Sequence, residues 1–417
     1  MGEPANQETF KSYMFFFFGQ MFSLFGSQIV FFVIFIWITD ETGSALMLSI
    51  ASFISLIPTL VFFPIAGVLA DRYNRKKIIF VADSLQAFLT VIMALFFLFD
   101  FTIIWIILLL IGLRSVCQAF HMPTVSAIFP SMIPKEKLSR INSIRFMFDG
   151  IVNLIGPAVA ATLLIFFPIK LILWIDVITF FIALYPLITL KAPKIHVNKE
   201  INSFIRDIKE GFSIIKKIPG LLIILLLAML LYLLSQPAMT LAPFFVKITH
   251  SGSNFTYALN NIIFQAGMII GSLVVSFKKK WKNKMRIMFT GIMIMNIGYL
   301  IYAMTPIGVF LFMQVGLLIM GLVMPIVSVT VMTVTQITVP LDKMGRVSSI
   351  INMLMMVATP IGAILAGPLS IIFGVSNLYI LCAVISIIVT IIPYLFSGFR
   401  HIDYDHPIVD FEIENKI

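Results

Sequence analysis

Apolar residues in this chain neither alternate nor follow a one-face helical period over most of its length; they run on. Between Tyr13 and Ser397, stretches of about 20 or more mostly apolar residues recur, separated by short polar interruptions. A run of that length spans the hydrocarbon of a bilayer as an α-helix, because a backbone without water must satisfy its own hydrogen bonds. The runs are too long and continuous for the alternating strands of a membrane barrel. The pattern predicts twelve helices, at 13–38, 45–70, 78–99, 102–129, 141–167, 170–190, 220–246, 256–277, 287–304, 307–337, 348–373 and 376–398. The fold class is therefore an all-α membrane protein with twelve transmembrane helices. The first run follows a polar start and has no small-residue cleavage site, so it reads as a helix and not as a removable signal peptide.

The longest polar interruption divides the helices six and six. It sets an N-terminal six-helix bundle over 1–190, a linker over 191–219, a C-terminal six-helix bundle over 220–398 and an acidic tail over 399–417. Within the linker, Phe204, Ile208, Phe212 and Ile215 are three or four apart with Arg206, Asp207, Lys209, Glu210 and Lys216 between them. This is a basic amphipathic helix, expected along the membrane interface or as a solvated linker. The halves also repeat. "MPTVS" at 122–126 recurs as "MPIVS" at 324–328, and each copy is followed by a proline six residues before an arginine, Pro134 to Arg140 and Pro340 to Arg346. Both copies span the junction of a half's fourth and fifth helices, as expected for parallel repeats whose shared interface forms a transport path.

Composition agrees with the bilayer reading: 60% of residues are hydrophobic, 12% are charged and mean hydropathy is +1.06. The net charge of +10 invites a nucleic-acid partner, but the placement of the bases argues against one. Of 29 Lys and Arg, 26 fall in one alternating set of loops, Lys170 and Lys247 fall in the other, and Arg114 lies within a helix. By the positive-inside rule, both termini, the linker and the 66–80 loop are cytoplasmic. Cys117 and Cys382 fall within predicted helices of opposite halves and read as core residues.

Ionisable residues inside the helices carry the candidate chemistry: Asp83, Arg114, Asp149 and Asp176. Arg114 lies roughly 18 Å into the fourth helix at the usual rise per residue, so it needs a carboxylate partner or an aqueous cavity; a structural ion pair and a proton-coupling role both fit. Asp149 follows Arg145 by four residues, where pairing is as good a reading as proton carriage. Asp176, six residues from Lys170, has apolar neighbours and is expected to load a proton from outside. Asp83 is expected to belong with the cytoplasmic loop near Lys77. His121 is either a packing residue or a relay. From Leu221 to Phe399 the only acid is Asp342, in a loop, so any proton relay belongs to the N-terminal half. Neutral polar residues, Gln20, Ser23, Ser27, Gln236, Asn261, Gln265 and Asn352, are candidates to line a substrate path or to bond helix to helix, with Met and Phe adapting to a ligand's shape.

One further stretch, "GVLADRYNRKK", resembles the loop between the second and third helices of the major facilitator superfamily, roughly G-x-x-x-D-R-x-G-R-[KR]-[KR]. Gly67, Asp71, Arg72, Arg75, Lys76 and Lys77 match, and Asn74 stands at the turn glycine, where a left-handed backbone is expected. "TGSALMLSIASF", "RSVCQAFHMPTVSA", "IKEGFSIIKKIPGLL" and "GRVSSI" are similar to bacterial macrolide-efflux permeases and related siderophore exporters. The resemblance implies the major facilitator fold of two pseudo-symmetric six-helix bundles. It also implies a gating role for Gly67, Asp71, Arg72, Arg75 and Lys76, in which Asp71 faces a helix of the other half and Gly67 permits close helix approach. Arg114 is similar to the fourth-helix arginine linked to proton coupling. In "IGPAVAATL", Gly156 and Pro157 match the antiporter motif, while Val152, Ala160 and Ala161 replace its other glycines.

The expected function is proton-coupled efflux of bulky hydrophobic compounds by alternating access in a bacterial cell membrane, with Arg114, Asp149 and Asp176 as coupling residues. No cofactor is expected beyond the proton gradient. Expected partners are a small hydrophobic substrate, protons and lipid, with no nucleic acid and no second copy of the chain. A siderophore exporter or lysolipid transporter of the same fold is the alternative, and a membrane sensor or scaffold a more distant one. An enzyme is disfavoured because no nucleophile, base or metal cluster is evident, and a nucleotide-driven pump because no phosphate-binding loop motif is present.

Overall fold

The computed structural model describes residues 7–191, 210–277, 283–340 and 343–396, apart from a few side chains within helices, that of Asp71 included. Among the described residues, twelve helices are long and apolar enough to cross a membrane. The first six are α1 (Gln7–Thr42), α2 (Ala45–Arg72), α3 (Arg75–Leu98), α4 (Ile104–Met132), α5 (Leu138–Phe166) and α6 (Ile169–Thr189, with a turn at Leu173). The second six are α7 (Leu221–Thr240), α8 (Asn254–Phe277), α9 (Lys284–Ala303), α10 (Phe310–Thr338), α11 (Met344–Phe373) and α12 (Val375–Phe396).

Connections are short, and several turn on a glycine. Gly43, at φ +53°, ends α1 one residue before Ser44, whose Oγ accepts from Met47 N to cap α2. Gly374, at φ +79°, is the single residue between α11 and α12. The seventh helix departs from its predicted extent, 220–246. It stops at Thr240, followed by a short turn at Ala242–Phe244 and a π-helical turn at Phe245–Thr249. Pro243 has no N–H to continue the ladder, and its ring crowds the preceding turn.

The chain divides into two compact units, Met1–Lys199 and Glu200–Ile417. In the first, α1 packs on α5 and α6, α3 on α4 and α6, and α2 on α4. In the second, α7 packs on α11 and α12, α9 on α10 and α12, and α8 on α10. Raising each helix number of the first unit by six reproduces the second. The "MPTVS" and "MPIVS" strings fall on α4 and α10, the corresponding helices of the two units.

Small residues set the closest helix contacts. A Cβ at Gly321 on α10 would lie 2.2 Å from Phe264 O on α8, and one at Gly271 on α8 would lie 2.2 Å from Leu322 O. Backbones thus approach where lipid offers no hydrophobic drive to association. In the first unit, one core cluster gathers Tyr13, Phe16 and Phe17 of α1 with Ile79, Ile128, Met132, Ile141 and Leu187. Cys117 and Cys382 are buried and free.

The described end of the linker packs on protein. Its described part, helical over 210–217, buries Ile214 and Ile215, with Ile218 just beyond, against Leu221, Leu225, Val339, Val347 and Ile350 of the second unit. Glu210 pairs with Arg346 Nη1 at 3.1 Å, and a Cβ at Gly211 would sit 3.1 Å from Arg346 O. The described part of the apolar face is covered by protein because the end of α10 and the start of α11 present matching aliphatic side chains. Phe204 and Ile208 lie outside the described residues, as do Asp342 and the acidic tail.

Candidate functional site

The basic loop organises the ends of three helices. Asn74 caps α3 with an extended backbone, φ −67° and ψ 107°, its Oδ1 accepting from Lys77 N at 3.3 Å. The left-handed turn expected there is replaced by an N-cap, which an Asn side chain supplies and a glycine does not. Arg75 donates from Nε to Ala70 O at 3.0 Å and from Nη1 to Ala127 O at 2.8 Å, tying the end of α2 to α4. Lys76 Nζ donates to Ile188 O and to Leu190 O, the latter at 3.0 Å, so a cation caps the end of α6 where the helix dipole is negative. Arg72 is exposed at the last position of α2, and the Asp71 side chain lies outside the described set. The close approach expected at Gly67 is absent from the unit: a Cβ there meets nothing within 4 Å.

The close approach occurs on α1 instead. A Cβ at Gly26 would lie 2.9 Å from Asp176 Cα and 2.1 Å from Thr179 Oγ1, so α1 and α6 meet nearly backbone to backbone. The next residue, Ser27, is thereby placed against the acid of α6. Asp176 accepts from Ser27 Oγ at 2.8 Å on Oδ1, and from Thr90 Oγ1 at 2.7 Å and Arg114 Nη1 at 2.8 Å on Oδ2. Arg114 also reaches Gln86 O at 3.4 Å, and Gln86 Nε2 donates to Ser27 Oγ at 3.1 Å. Asp176 is 3% exposed, so the carboxylate expected to be reachable from outside is enclosed here, with α1, α3 and α4 each supplying a donor. An arginine alone in the bilayer is costly, and this partner meets that cost.

Two turns along α3 from Thr90, a second acid sits in a different setting from the one expected. Asp83 does not join the basic loop: its Oδ2 accepts from Gln20 Nε2 at 3.1 Å, and its Oδ1 lies 3.3 Å from His121 Nε2. Gln20 Oε1 lies 3.0 Å from the same nitrogen. Both neighbours of His121 Nε2 are acceptors, so that nitrogen carries the hydrogen. His121 Nδ1 is buried without a hydrogen-bond partner. Gln20 and Ser27 on α1, and Asp83, Gln86 and Thr90 on α3, recur at helical spacing and form one polar seam through the first unit.

The remaining candidates are dispersed. Asp149 is half-buried on α5; Arg145 stacks over the Phe129 ring at 4.7 Å, and no Arg145–Asp149 ion pair forms among the described residues. Gly156 abuts Gln28 of α1, a Cβ there falling 3.0 Å from Gln28 Cβ. In the second unit, Gln236 is 3% exposed and packed by Gly362, with Nε2 lacking a partner. Asn261 Nδ2 donates to Tyr257 O at 3.0 Å, Gln265 is half-buried and Asn352 exposed. These four form no cluster comparable to that of the first unit. Sequence reading missed Gly26, Gln86 and Thr90; the seven-residue interval between Gly19 and Gly26 was the available signal, since Gly19 meets Pro186 on the same helix pair.

The Major Facilitator Superfamily profile matches residues 16–363. Macrolide efflux protein A of Streptococcus pyogenes is 29% identical over 387 residues, covering 92% of this chain and 96% of that protein. The Staphyloferrin A transporter of Staphylococcus aureus is 28% identical over 142 residues, 34% of this chain and 36% of that one. The crystal structure of the nucleoside transporter NupG superposes with a TM-score of 0.69 at 14% identity, covering 94% of this chain and 99% of that chain, which speaks to fold alone. With that profile matched over most of its length and its twelve spans packed as two equivalent units, the chain belongs to the Major Facilitator Superfamily and is an integral membrane transporter, not an enzyme.

Proposed function

We propose that the protein exports bulky, largely apolar compounds of the macrolide type from a bacterial cell in exchange for protons, by alternating access, with both termini in the cytoplasm. The observation that carries the coupling is the buried Arg114–Asp176 pair, enclosed by Ser27 and Thr90 in a unit that holds all the intramembrane acids. A proton arriving at Asp176 from outside removes its charge and frees Arg114 from its partner, favouring return to the inward state; substrate binding inside favours release of that proton. One charge moved through 100 mV supplies about 2.3 kcal/mol, enough for roughly a fiftyfold gradient of a neutral substrate. The second unit, with no acid in its described spans, supplies apolar surface and neutral polar groups.

Similarity to the Staphyloferrin A transporter favours a second reading, siderophore export. An anionic cargo wants free intramembrane cations, and the one arginine in a span interior is already paired, so the apolar cargo is preferred. The test is efflux from cells expressing the protein, across macrolides, cationic dyes and siderophores, with and without a protonophore. Protonophore-sensitive macrolide export is expected. Export of siderophores alone, or export indifferent to the protonophore, overturns the respective half of the reading.

A further inference from the structure

Charge balance separates the two acids of the polar seam. Asp176 faces a permanent cation, Arg114, and the two cancel. Asp83 faces none. Its carboxylate receives a neutral amide, Gln20 Nε2, and one edge of an imidazole, His121 Nε2, while the side chains of His121 and Asp83 are only 17% and 10% exposed. The other titratable groups near this acid are Cys117 from α4 and Asp176 from α6, the latter committed to Arg114. With a neutral imidazole and an ionised Asp83 the cluster holds one uncompensated negative charge in a low-dielectric interior, which favours taking up a proton. The Nδ1 lone pair of His121, buried and unpartnered, is a position where a proton adds without displacing any existing hydrogen bond.

We propose that Asp83 and His121, aligned by Gln20, form a second proton-binding site in the N-terminal unit, loaded and unloaded in the transport cycle; the site rests on the proton-coupled reading above. Loading forms one N–H bond at Nδ1 and makes His121 an imidazolium whose Nε2–H continues to donate toward Asp83. The pair passes from a net charge of −1 to zero. Unloading breaks that N–H bond, returns the electron pair to the ring nitrogen and restores the charge. Gln20 of this site and Ser27 of the other lie on α1, and Asp83 of this site and Gln86 and Thr90 of the other lie on α3, so both loads bear on the same two helices.

The test uses the full-length protein in liposomes with its cytoplasmic face outward and labelled erythromycin as the probe, measuring uptake driven by an acid interior and equilibrium exchange without a gradient. Asp83→Asn and His121→Gln are each expected to lower gradient-driven uptake at least about tenfold while leaving exchange within about threefold of wild type. Gradient-driven uptake that survives in both variants overturns the site. So does loss of exchange together with uptake, which marks a structural role. If the wild type exchanges the probe but shows no gradient-driven uptake, the proton-coupled reading itself fails, and the site with it; failure confined to the variants' behaviour leaves that reading standing.

Discussion

At the scale of single residues, the Arg114–Asp176 pair is the feature whose disruption has the clearest sign. Asp176→Asn keeps the shape and the two hydroxyl donors but leaves Arg114 buried without a counter-charge. Breaking a buried pair from one side costs about 3–5 kcal/mol, whereas replacing both partners with apolar groups of similar volume is often neutral. Asp176→Asn is thus expected to lower the unfolding midpoint in detergent, and Arg114→Met with Asp176→Leu to recover most of it without recovering export. Cys117 and Cys382, buried one in each unit, make a thiol-reactive dye a suitable reporter. Equal midpoints for wild type and Asp176→Asn would show the pair to be energetically idle. His250 has the opposite character, a residue with no visible signal in the sequence. It is 2% exposed, with Nδ1 2.9 Å from Phe245 O and Nε2 3.0 Å from Thr305 O, and it staples the connection after α7 to the one after α9.

At the scale of elements, site geometry depends on how closely α1 approaches α6. Gly26→Ala places a methyl group 2.9 Å from Asp176 Cα, a backbone atom that cannot turn aside, so the helices must part. Overpacking of this kind costs about 1–3 kcal/mol, and separation also draws Ser27 away from Asp176. Both a lowered unfolding midpoint and reduced export are expected, and wild-type values of both would show that α1 and α6 tolerate the separation. What the sequence showed follows from the same physics. Helix number and the division into two units were legible because long apolar runs admit one solution in a bilayer. The partner of Arg114 was not, because Asp83, Asp149 and Asp176 lie on different helices and run length says nothing of which helices adjoin. Packing assigned Asp176 to Arg114 and moved Asp83 from the basic loop to His121. The docking of Ile214 and Ile215 was likewise hidden, since the end of α10 and the start of α11 are remote in sequence, whereas the break in the seventh helix had a local signal, Pro243, that the length of the apolar run masked.

At the scale of the whole molecule, the two units repeat one packing plan yet divide the chemistry unequally. Every acid within the described spans that bears on a buried network belongs to α3 or α6, while α7 to α12 carry none. A duplicated scaffold thus supports one charged half and one neutral half, an arrangement suited to a cargo that is itself neutral or weakly charged. The expected orientation follows from the loops and not from the packing. Lys and Arg cluster at the ends of α2 and α3 that flank their connection and around the α4–α5 connection, whereas α3–α4 and α9–α10 hold none, and cytoplasmic retention of bases predicts that the basic connections face the cytoplasm. In a Cys117→Ser, Cys382→Ser background, single cysteines in place of Tyr73 and Glu136 report the basic connections, and cysteines in place of Phe99 and Ile307 report the others. Tyr73, Phe99 and Ile307 are 63%, 75% and 78% exposed, so access to reagent is set by the membrane and not by burial. A membrane-impermeant maleimide added to intact cells is expected to label positions 99 and 307 at once, and positions 73 and 136 only after permeabilisation. Labelling of 73 and 99 from the same side would remove the helix between them from the membrane, and reversed labelling would place the basic loops outside, against the charge distribution of the whole chain.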